Sequence, residues 1–145
     1  MQETLSVMLY ALGMLEKDNS VLLLYRHNTP LFNMSYSLPG GKIEIDESPL
    51  QALSRELEEE LGIKVTGQAP LSHVMYFKGI TQPCVVFVFS IHEWLGEPFN
   101  KEPHKHSHYA WYPLEHLPLD IVPRHGRIIS HIQKQLWYSE ELNKE

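Results

Sequence analysis

The sequence predicts an α/β protein in which helices pack on a mixed β-sheet. Short apolar segments bounded by turn residues recur along the 145-residue chain and are typical of strands. Two other segments, near residues 48–62 and 123–138, repeat apolar residues at helical spacing instead. Because strands occur both before and after the first helical segment, a sheet covered by helices is the expected architecture. The length fits one domain spanning residues 1–145.

Composition and charge exclude several classes of protein. Hydrophobic residues make up 43% of the chain and charged residues 21%, as in globular rather than disordered proteins. The net charge of −6 argues against binding of duplex nucleic acid, which requires a basic surface. No apolar run approaches the roughly 18 residues that a membrane span needs. The N-terminus lacks a secretory signal, and the single cysteine, Cys84, suits a reducing compartment, so a cytoplasmic location is expected.

The first part of the chain predicts a hairpin followed by a tight corner. Strands are predicted at residues 5–15 and 21–25, with a turn at 17–20 and a loop at 27–36. The corner at residues 37–41 ends in Gly40 and Gly41, whose backbones can adopt angles that are closed to other residues. Arg26 follows the second strand directly.

The clearest helix in the sequence begins at Ser48 and ends at Gly62. Ser48 is a good N-cap, Pro49 fits the first helical position, and Gln51 completes a capping box. Gly62 is a C-cap glycine. One apolar stripe is predicted, formed by Leu50, Leu53, Leu57 and Leu61.

The second part of the chain alternates strands with loops and ends in a helix. Strands are predicted at residue 65 and at residues 73–77, 84–94 and 109–112, with a polar loop at 96–107 and a turn at 114–118. Residues 123–138 predict a final amphipathic helix. Its inner side is expected to carry Ile128, Ile129, Ile132, Leu136 and Trp137.

The first helix carries a dense group of glutamates whose spacing decides between two interpretations. A charge run is typical of a solvated helix face. However, Glu56, Glu59 and Glu60 stand at positions i, i+3 and i+4, so their carboxylates lie side by side. Such a cluster suits hard divalent cations, which prefer carboxylate oxygen. Charge alone leaves the solvated face as the expected interpretation, and only the wider spacing around these glutamates favours a metal site.

The spacing around these glutamates resembles the signature box of the Nudix hydrolases. The pattern reads Gly41, five residues, Glu47, seven residues, then Arg55-Glu56-Leu57-x-Glu59-Glu60-x-Gly62-Ile63. Residues 38–44, 94–102 and 111–118 also resemble the MutT-like branch of that family. The resemblance implies the Nudix fold, an α/β/α sandwich of a mixed sheet between helices, with the box as a loop-helix-loop.

The resemblance also implies an activity, a cofactor and a set of residues. Members of the family direct water at a phosphorus of a nucleoside diphosphate linked to another group, with Mg²⁺ as the expected ion and Mn²⁺ as an alternative. The metal ligands implied by the family pattern are Glu56, Glu59, Glu60, Glu102 and the carbonyl oxygen of Gly40.

Further roles follow from the same resemblance. Arg55 is expected to hold and orient a glutamate of the box, together with Glu47. Glu56 is the first choice for the base that deprotonates water, and Glu102 is the second. Arg26 matches the position of a phosphate-contacting arginine in relatives, although a charged residue is more often an ordinary surface residue.

The substrate stays open at this point. A small-molecule nucleoside diphosphate derivative is expected, of the NTP or dNTP pyrophosphohydrolase type, with ADP-ribose or a dinucleoside polyphosphate as alternatives. A third alternative is a non-catalytic module that binds a nucleotide. Guanine-selective relatives read the base with an asparagine where this chain has Ile121, which argues against that specificity, although Asp120 could contact a base edge. A monomer and a homodimer both remain open.

Two groups of residues receive a structural interpretation. The histidines of residues 104–108 alternate, so an extended segment could direct them at one ion, but loops of this kind typically carry solvated histidines. Four aromatic residues are expected to pack in the core or at a sheet edge rather than to stack on a base: Trp94, Trp111, Tyr76 and Phe77. Cys84 lies in an apolar segment and is expected to be a buried, inert thiol.

Overall fold

A mixed β-sheet lies between two helices. The computed structural model describes residues 3–143. The strands are β1 (Met8–Lys17), β2 (Ser20–Arg26), β3 (Ser35–Ser37), β4 (Gly40–Lys42), β5 (Lys64–Val65), β6 (Leu71–Lys78), β7 (Pro83–Ile91), β8 (Trp94–Leu95), β9 (His106–Pro113) and β10 (Tyr138–Glu141). The helices are α1 (Pro49–Leu61) and α2 (Pro123–Gln133). Within the described residues neither helix has the length and apolar character needed to cross a bilayer.

Strand β1 is the branching strand of the sheet. Along one edge it pairs in parallel with β7, and along the other it pairs antiparallel first with β4 and then with β2. The main path runs β10-β6-β7-β1-β2-β3, and β9 pairs with β2. The β1–β2 pairing confirms the predicted hairpin. Parallel and antiparallel pairs together make the sheet mixed, as the sequence predicted.

Two separate hydrophobic cores cover the two faces of the sheet. Successive residues of a strand point to opposite faces, and neighbours such as Leu22 and Leu23 belong to different cores. The first core joins the sheet to α1 and contains Ala11, Leu15, Leu22, Leu24, Ala52, Leu53, Leu57, Leu61, Ile63, Phe89 and Ile91. The second joins the sheet to α2 and contains Leu12, Met14, Val21, Leu23, Tyr36, Leu38, Met75, Val86, Val88, Ile128 and Ile129. The predicted α/β/α sandwich is therefore confirmed.

Local chemistry defines both ends of α1. The Ser48 side chain accepts a hydrogen bond from the Gln51 N–H, and the Gln51 side chain accepts one from the Ser48 N–H, which completes the predicted capping box. Gly62 ends the helix in the left-handed region at φ 67°. The predicted leucine stripe is buried except at its first member, because Leu50 is 38% exposed.

Replacing Leu57 by alanine is expected to lower the free energy of unfolding by about 2–5 kcal/mol, because Leu57 is fully buried and the smaller side chain leaves a cavity. Urea denaturation followed by circular dichroism measures the change. The matched control is Leu50→Ala on the same helix, which should cost less than about 1 kcal/mol because that side chain is partly exposed. Equal losses in the two variants would contradict the assigned core.

The C-terminal segment corrects the prediction of one long final helix. Helix α2 ends at Gln133, and Gln135 adopts a left-handed backbone at φ 60°. The chain then forms β10, which pairs in parallel with β6 and satisfies that strand's open edge. Leu136 and Trp137, expected on the inner side of the helix, are 46% and 81% exposed. Apolar residues keep helical spacing beyond Gln133 in the sequence. That spacing carries no information about the edge of β6, which pairs with the same part of the chain.

Three further boundaries differ from the sequence predictions. The predicted strand 84–94 is divided, since β7 ends at Ile91 and the chain leaves the main sheet to pair Trp94 with Val65 of β5. The predicted loop 27–36 enters β3 at Ser35. The predicted polar loop 96–107 ends at His106, where β9 begins, and this last difference bears on the site below.

Candidate active site

A cleft of about 760 Å³ brings most of the predicted site residues together. It is lined by residues of β1, β2, β4, β6, β7, β9, α1 and the start of α2, and by residues of the loops at 27–34, 79–82 and 96–105. The predicted residues in its lining are Arg26, Gly40, Glu56, Glu60 and Glu102. His106, Phe77, Arg124 and His125 also line it. The cleft is therefore rich in carboxylates and also contains two arginines.

The glycine corner allows the backbone and the glutamates to approach each other closely. Gly40 has φ +133°, and a Cβ there would lie 2.1 Å from the carbonyl oxygen of Ala11 in the paired strand β1. A Cβ on Gly41 would lie 2.7 Å from Oε1 of Glu56. Gly40 therefore requires glycine, whereas a side chain at Gly41 would displace the Glu56 carboxylate. The Gly40 N–H donates a 2.9 Å hydrogen bond to Oε1 of Glu60, which joins β4 to α1 at the site.

Glu60 is a buried carboxylate, and no countercharge among residues 3–143 is in direct contact with it. Its relative exposure is 6%, although Glu58 and Glu59 on the same helix are exposed. Burial raises the pKa of Glu60 well above its usual value, and the charge of Glu56 raises it further. The hydrogen bond from Gly40 opposes this rise only in part. A bound cation would supply the missing charge.

Glu60, Glu102 and His106 form a group that could hold a metal ion. One ligand atom from each lies within 4.8 Å of the others. Burial lowers the pKa of His106 to about 4, and the charges of Arg26 and Lys105 act in the same direction. The imidazole is therefore neutral near pH 7, which is the form that binds metals. His106 was not among the predicted site residues, and the expectation of a solvated histidine is wrong at this position.

A β-bulge explains why His106 enters the site and His108 does not. Strand β9 pairs His108 with Tyr25 and His106 with Arg26, so one extra residue stands between the two pairs. This insertion reverses the normal alternation, and the two histidines face opposite sides of the sheet. His108 stacks on Tyr25 at 5.0 Å, whereas His106 shares the cleft with Arg26.

Arg55 holds the glutamates of the box in place. Its guanidinium binds Glu47 with two hydrogen bonds of 2.7 and 3.0 Å, and donates a third of 2.9 Å to Oε1 of Glu56. It also donates to the carbonyl oxygen of Lys42 at 3.1 Å. The bonds from Arg55 lower the pKa of Glu47. The expected pairing of Arg55 with Glu47 is thus present, and it connects the loop before α1 to the helix.

The three carboxylates predicted to act together have different surroundings. Burial raises the pKa of Glu56, while the hydrogen bond and charge of Arg55 oppose that rise. Glu59 is half exposed, lies 3.4 Å from Nη1 of Arg55, and does not appear in the lining of the cleft. Its role as a metal ligand stays a prediction. Glu56 and Glu60 are the pair on α1 that faces the cleft.

Arg26 faces the cleft rather than open solvent. It is half-buried, and its Nε finds no hydrogen-bond partner among the residues that the structure describes. Burial lowers its pKa, and the charge of Glu60 opposes this effect. A guanidinium in this position can bind phosphate oxygens in a bidentate manner.

The cleft extends along β1 from the carboxylates to an aromatic wall. Leu12 pairs with Gly40, and Met8 pairs with Cys84, the partner of Phe77 in β6. These pairs are four positions apart along β1, a distance of roughly 13 Å. Phe77 carries the Arg124 guanidinium 3.8 Å above its ring centroid. The sequence assigned Phe77 to packing and did not single out Arg124.

The C-terminal strand supports Arg124. Glu141 of β10 accepts a 3.1 Å hydrogen bond from Nε of Arg124 and a 3.0 Å bond from Nη2 of Arg127. Asp120, predicted to contact a base edge, is exposed, and it is absent from the lining. Its carbonyl oxygen accepts from the Tyr36 N–H, which fixes the segment before α2. A base contact by Asp120 stays a prediction.

The potential ligand atoms around Glu60 suit a divalent cation. Carboxylate oxygens of three glutamates line one region of the cleft, and the buried charge of Glu60 lacks compensation from a directly bonded cation. An uncompensated buried charge is costly, so a bound cation would stabilise this arrangement. Glu56, Glu60 and Glu102 offer carboxylate oxygens to such an ion, and His106 lies beside them.

Comparisons with known proteins find a matching family and similar sequences and structures. The family model described as NUDIX domain matches residues 7–132. The chain is 45% identical over 71 residues to the 8-oxo-dGTP diphosphatase of Haemophilus influenzae, covering 49% of this chain and 52% of that protein. It is 33% identical over 115 residues to the CTP pyrophosphohydrolase of Escherichia coli, covering 77% and 80%. The crystal structure of a MutT NUDIX hydrolase from Burkholderia pseudomallei has a TM-score of 0.77 and 30% identity, covering 86% of this chain and 95% of that one.

Proposed function

The chain belongs to the Nudix family, as a MutT-like hydrolase acting on phosphoanhydride bonds, and from this premise we propose that it cleaves a nucleoside triphosphate to a nucleoside monophosphate and pyrophosphate. The relatives named 8-oxo-dGTP diphosphatase and CTP pyrophosphohydrolase support a triphosphate substrate. The observation that carries the proposal is the buried Glu60, which lies with Glu56 and Glu102 in a cleft that also contains Arg26.

A divalent cation, Mg²⁺ or Mn²⁺, is the proposed cofactor. When bound, such an ion neutralises phosphate charge and polarises the phosphorus. Glu56, Glu60 and Glu102 would hold it, together with the Gly40 carbonyl oxygen and, if its side chain turns inward, Glu59. The Gly40 N–H fixes one oxygen of Glu60 and thereby orients that carboxylate before any ion binds.

The protein's own groups would then position substrate and move the proton. Glu56 is the proposed base, since burial raises its pKa toward the range useful at neutral pH and Arg55 holds one of its oxygens. Glu102 is the alternative base. Arg26 would bind phosphate oxygens at the same end of the cleft. The Phe77 ring and the Arg124 guanidinium would contact the nucleobase of the substrate at the other end of the cleft, because flat rings stack on aromatic and guanidinium surfaces.

A panel assay tests this function. Purified protein is incubated with Mg²⁺ and, one at a time, NTPs, dNTPs, an oxidised guanine triphosphate, ADP-ribose and a dinucleoside polyphosphate, and the products are separated by ion-exchange chromatography. We expect a monophosphate and pyrophosphate from at least one triphosphate, loss of turnover in EDTA, and its return when Mg²⁺ is restored.

The assay separates the alternatives. Faster cleavage of ADP-ribose than of any triphosphate would contradict the proposed substrate class but not the hydrolase activity. Nucleotide binding by calorimetry without product from any member would indicate a non-catalytic module. Reaction in H₂¹⁸O locates the attacked phosphorus, because the label appears in whichever product took the water oxygen.

A further inference from the structure

His106 differs from His73, the other buried histidine among the described residues, in how its ring is hydrogen-bonded. Its relative exposure is 5%, and its Nδ1 finds no partner among the described residues. His73 is equally buried, yet its two nitrogens lie 2.7 Å from the Leu136 carbonyl oxygen and 2.7 Å from the Ser139 hydroxyl. A histidine retained for packing is expected to resemble His73, because a buried unpaired polar group is costly.

The His106 ring lies beside two carboxylates. Its Nε2 is 3.9 Å from Oε2 of Glu60, which is beyond hydrogen-bond distance. Glu102 completes a group whose ligand atoms all lie within 4.8 Å of one another. The bulge beside Arg26 directs the ring there, so the placement depends on a specific irregularity of β9.

We propose that His106 is a nitrogen ligand of the divalent-metal site, so that this chain binds Mn²⁺ in preference to Mg²⁺. The inference rests on the proposed function, because it concerns the same site. Imidazole nitrogen binds first-row transition metals, of which Mn²⁺ is the least strongly bound, better than it binds Mg²⁺, which prefers oxygen ligands and keeps several waters. A mixed group of two carboxylates and one imidazole therefore shifts selectivity away from Mg²⁺.

Pulsed electron paramagnetic resonance of bound Mn²⁺ tests the ligand directly. We expect a ¹⁴N coupling in the wild type, its replacement by a ¹⁵N coupling when histidine is labelled, and its loss in His106→Gln. The matched control is His104→Gln, because His104 is exposed two residues away and should leave the coupling unchanged. By calorimetry, His106→Gln should weaken Mn²⁺ binding by about tenfold or more and Mg²⁺ binding by much less.

The outcomes distinguish this inference from the proposed function. Absence of ¹⁴N coupling in the wild type would overturn the nitrogen ligand, as would coupling that persists in His106→Gln. Nucleotide turnover without nitrogen coupling would contradict the nitrogen ligand and support the proposed hydrolase activity. Nitrogen coupling without turnover would support the ligand and contradict the hydrolase activity. His106→Leu is the second variant if His106→Gln does not fold, since leucine suits a buried position.

Discussion

Glu60→Gln is expected to lower turnover by about 10²–10⁴-fold, because it removes the buried negative charge from the proposed metal site. Glutamine keeps the size of the side chain and still offers an oxygen to the Gly40 N–H. The fold should therefore survive, and circular dichroism of the variant should match that of the wild type. The effect is measured as kcat/KM on the best substrate of the nucleotide panel.

The same substitution is expected to raise the thermal stability of the metal-free protein. Burial and the charge of Glu56 raise the pKa of Glu60, so the folded state favours the protonated acid. The wild type should therefore lose stability as the pH rises from the unfolded-state pKa of about 4.3 through the raised folded-state pKa. Glu60→Gln should lack this loss. Addition of Mn²⁺ should raise the melting temperature of the wild type more than that of the variant.

Two neighbouring substitutions provide the controls. Glu58→Gln changes an exposed glutamate on the same helix, outside the cleft, and should leave turnover unchanged. The turnover of Glu59→Gln should lie between those of Glu58→Gln and Glu60→Gln if the half-exposed Glu59 side chain reaches the metal. Wild-type rates in both Glu59→Gln and Glu60→Gln would contradict the assignment of metal ligands on α1.

Arg55→Met is expected to lower turnover by about 10²-fold, since loss of a clamp displaces the reacting groups. Arg55 binds Glu47, Glu56 and the Lys42 carbonyl oxygen at once, so its removal releases the loop before α1 from the helix. The melting temperature should also fall, because a shared cation is removed from two carboxylates. Kinetics with saturating metal and thermal denaturation measure the two effects.

A pH profile separates positioning by Arg55 from a purely structural role. The hydrogen bond and charge of Arg55 oppose the rise in the pKa of Glu56 that burial causes. Without Arg55 that pKa should rise further, and the acidic limb of kcat/KM should move to higher pH. In Arg55→Lys the acidic limb should return part of the way toward its wild-type pH, because lysine supplies the charge but not the bidentate geometry. An unshifted limb in both variants would rule out Glu56 as the base under Arg55's influence.

Helix α1 was predictable because its determinants are local. A capping box, a C-cap glycine and leucines spaced three and four apart act within one helix, and the structure reproduces both ends. The corner at Gly40 was also visible, although its reason, the approach of the Ala11 carbonyl oxygen, required the paired strand. The final helix was predicted too long because β10 depends on the free edge of β6, which is distant in sequence.

The sequence by itself determined the family, the fold and the glutamates that point to metal chemistry, because these depend on residue type and on spacing within one helix. Only the tertiary structure decided which groups share the cleft. It buried Glu60 while leaving Glu59 half exposed, turned His106 inward through one bulge, and placed Arg124 over Phe77 with support from Glu141. These distinctions arise from contacts between segments far apart in the chain, where burial and charge, rather than periodicity, decide what a side chain can do.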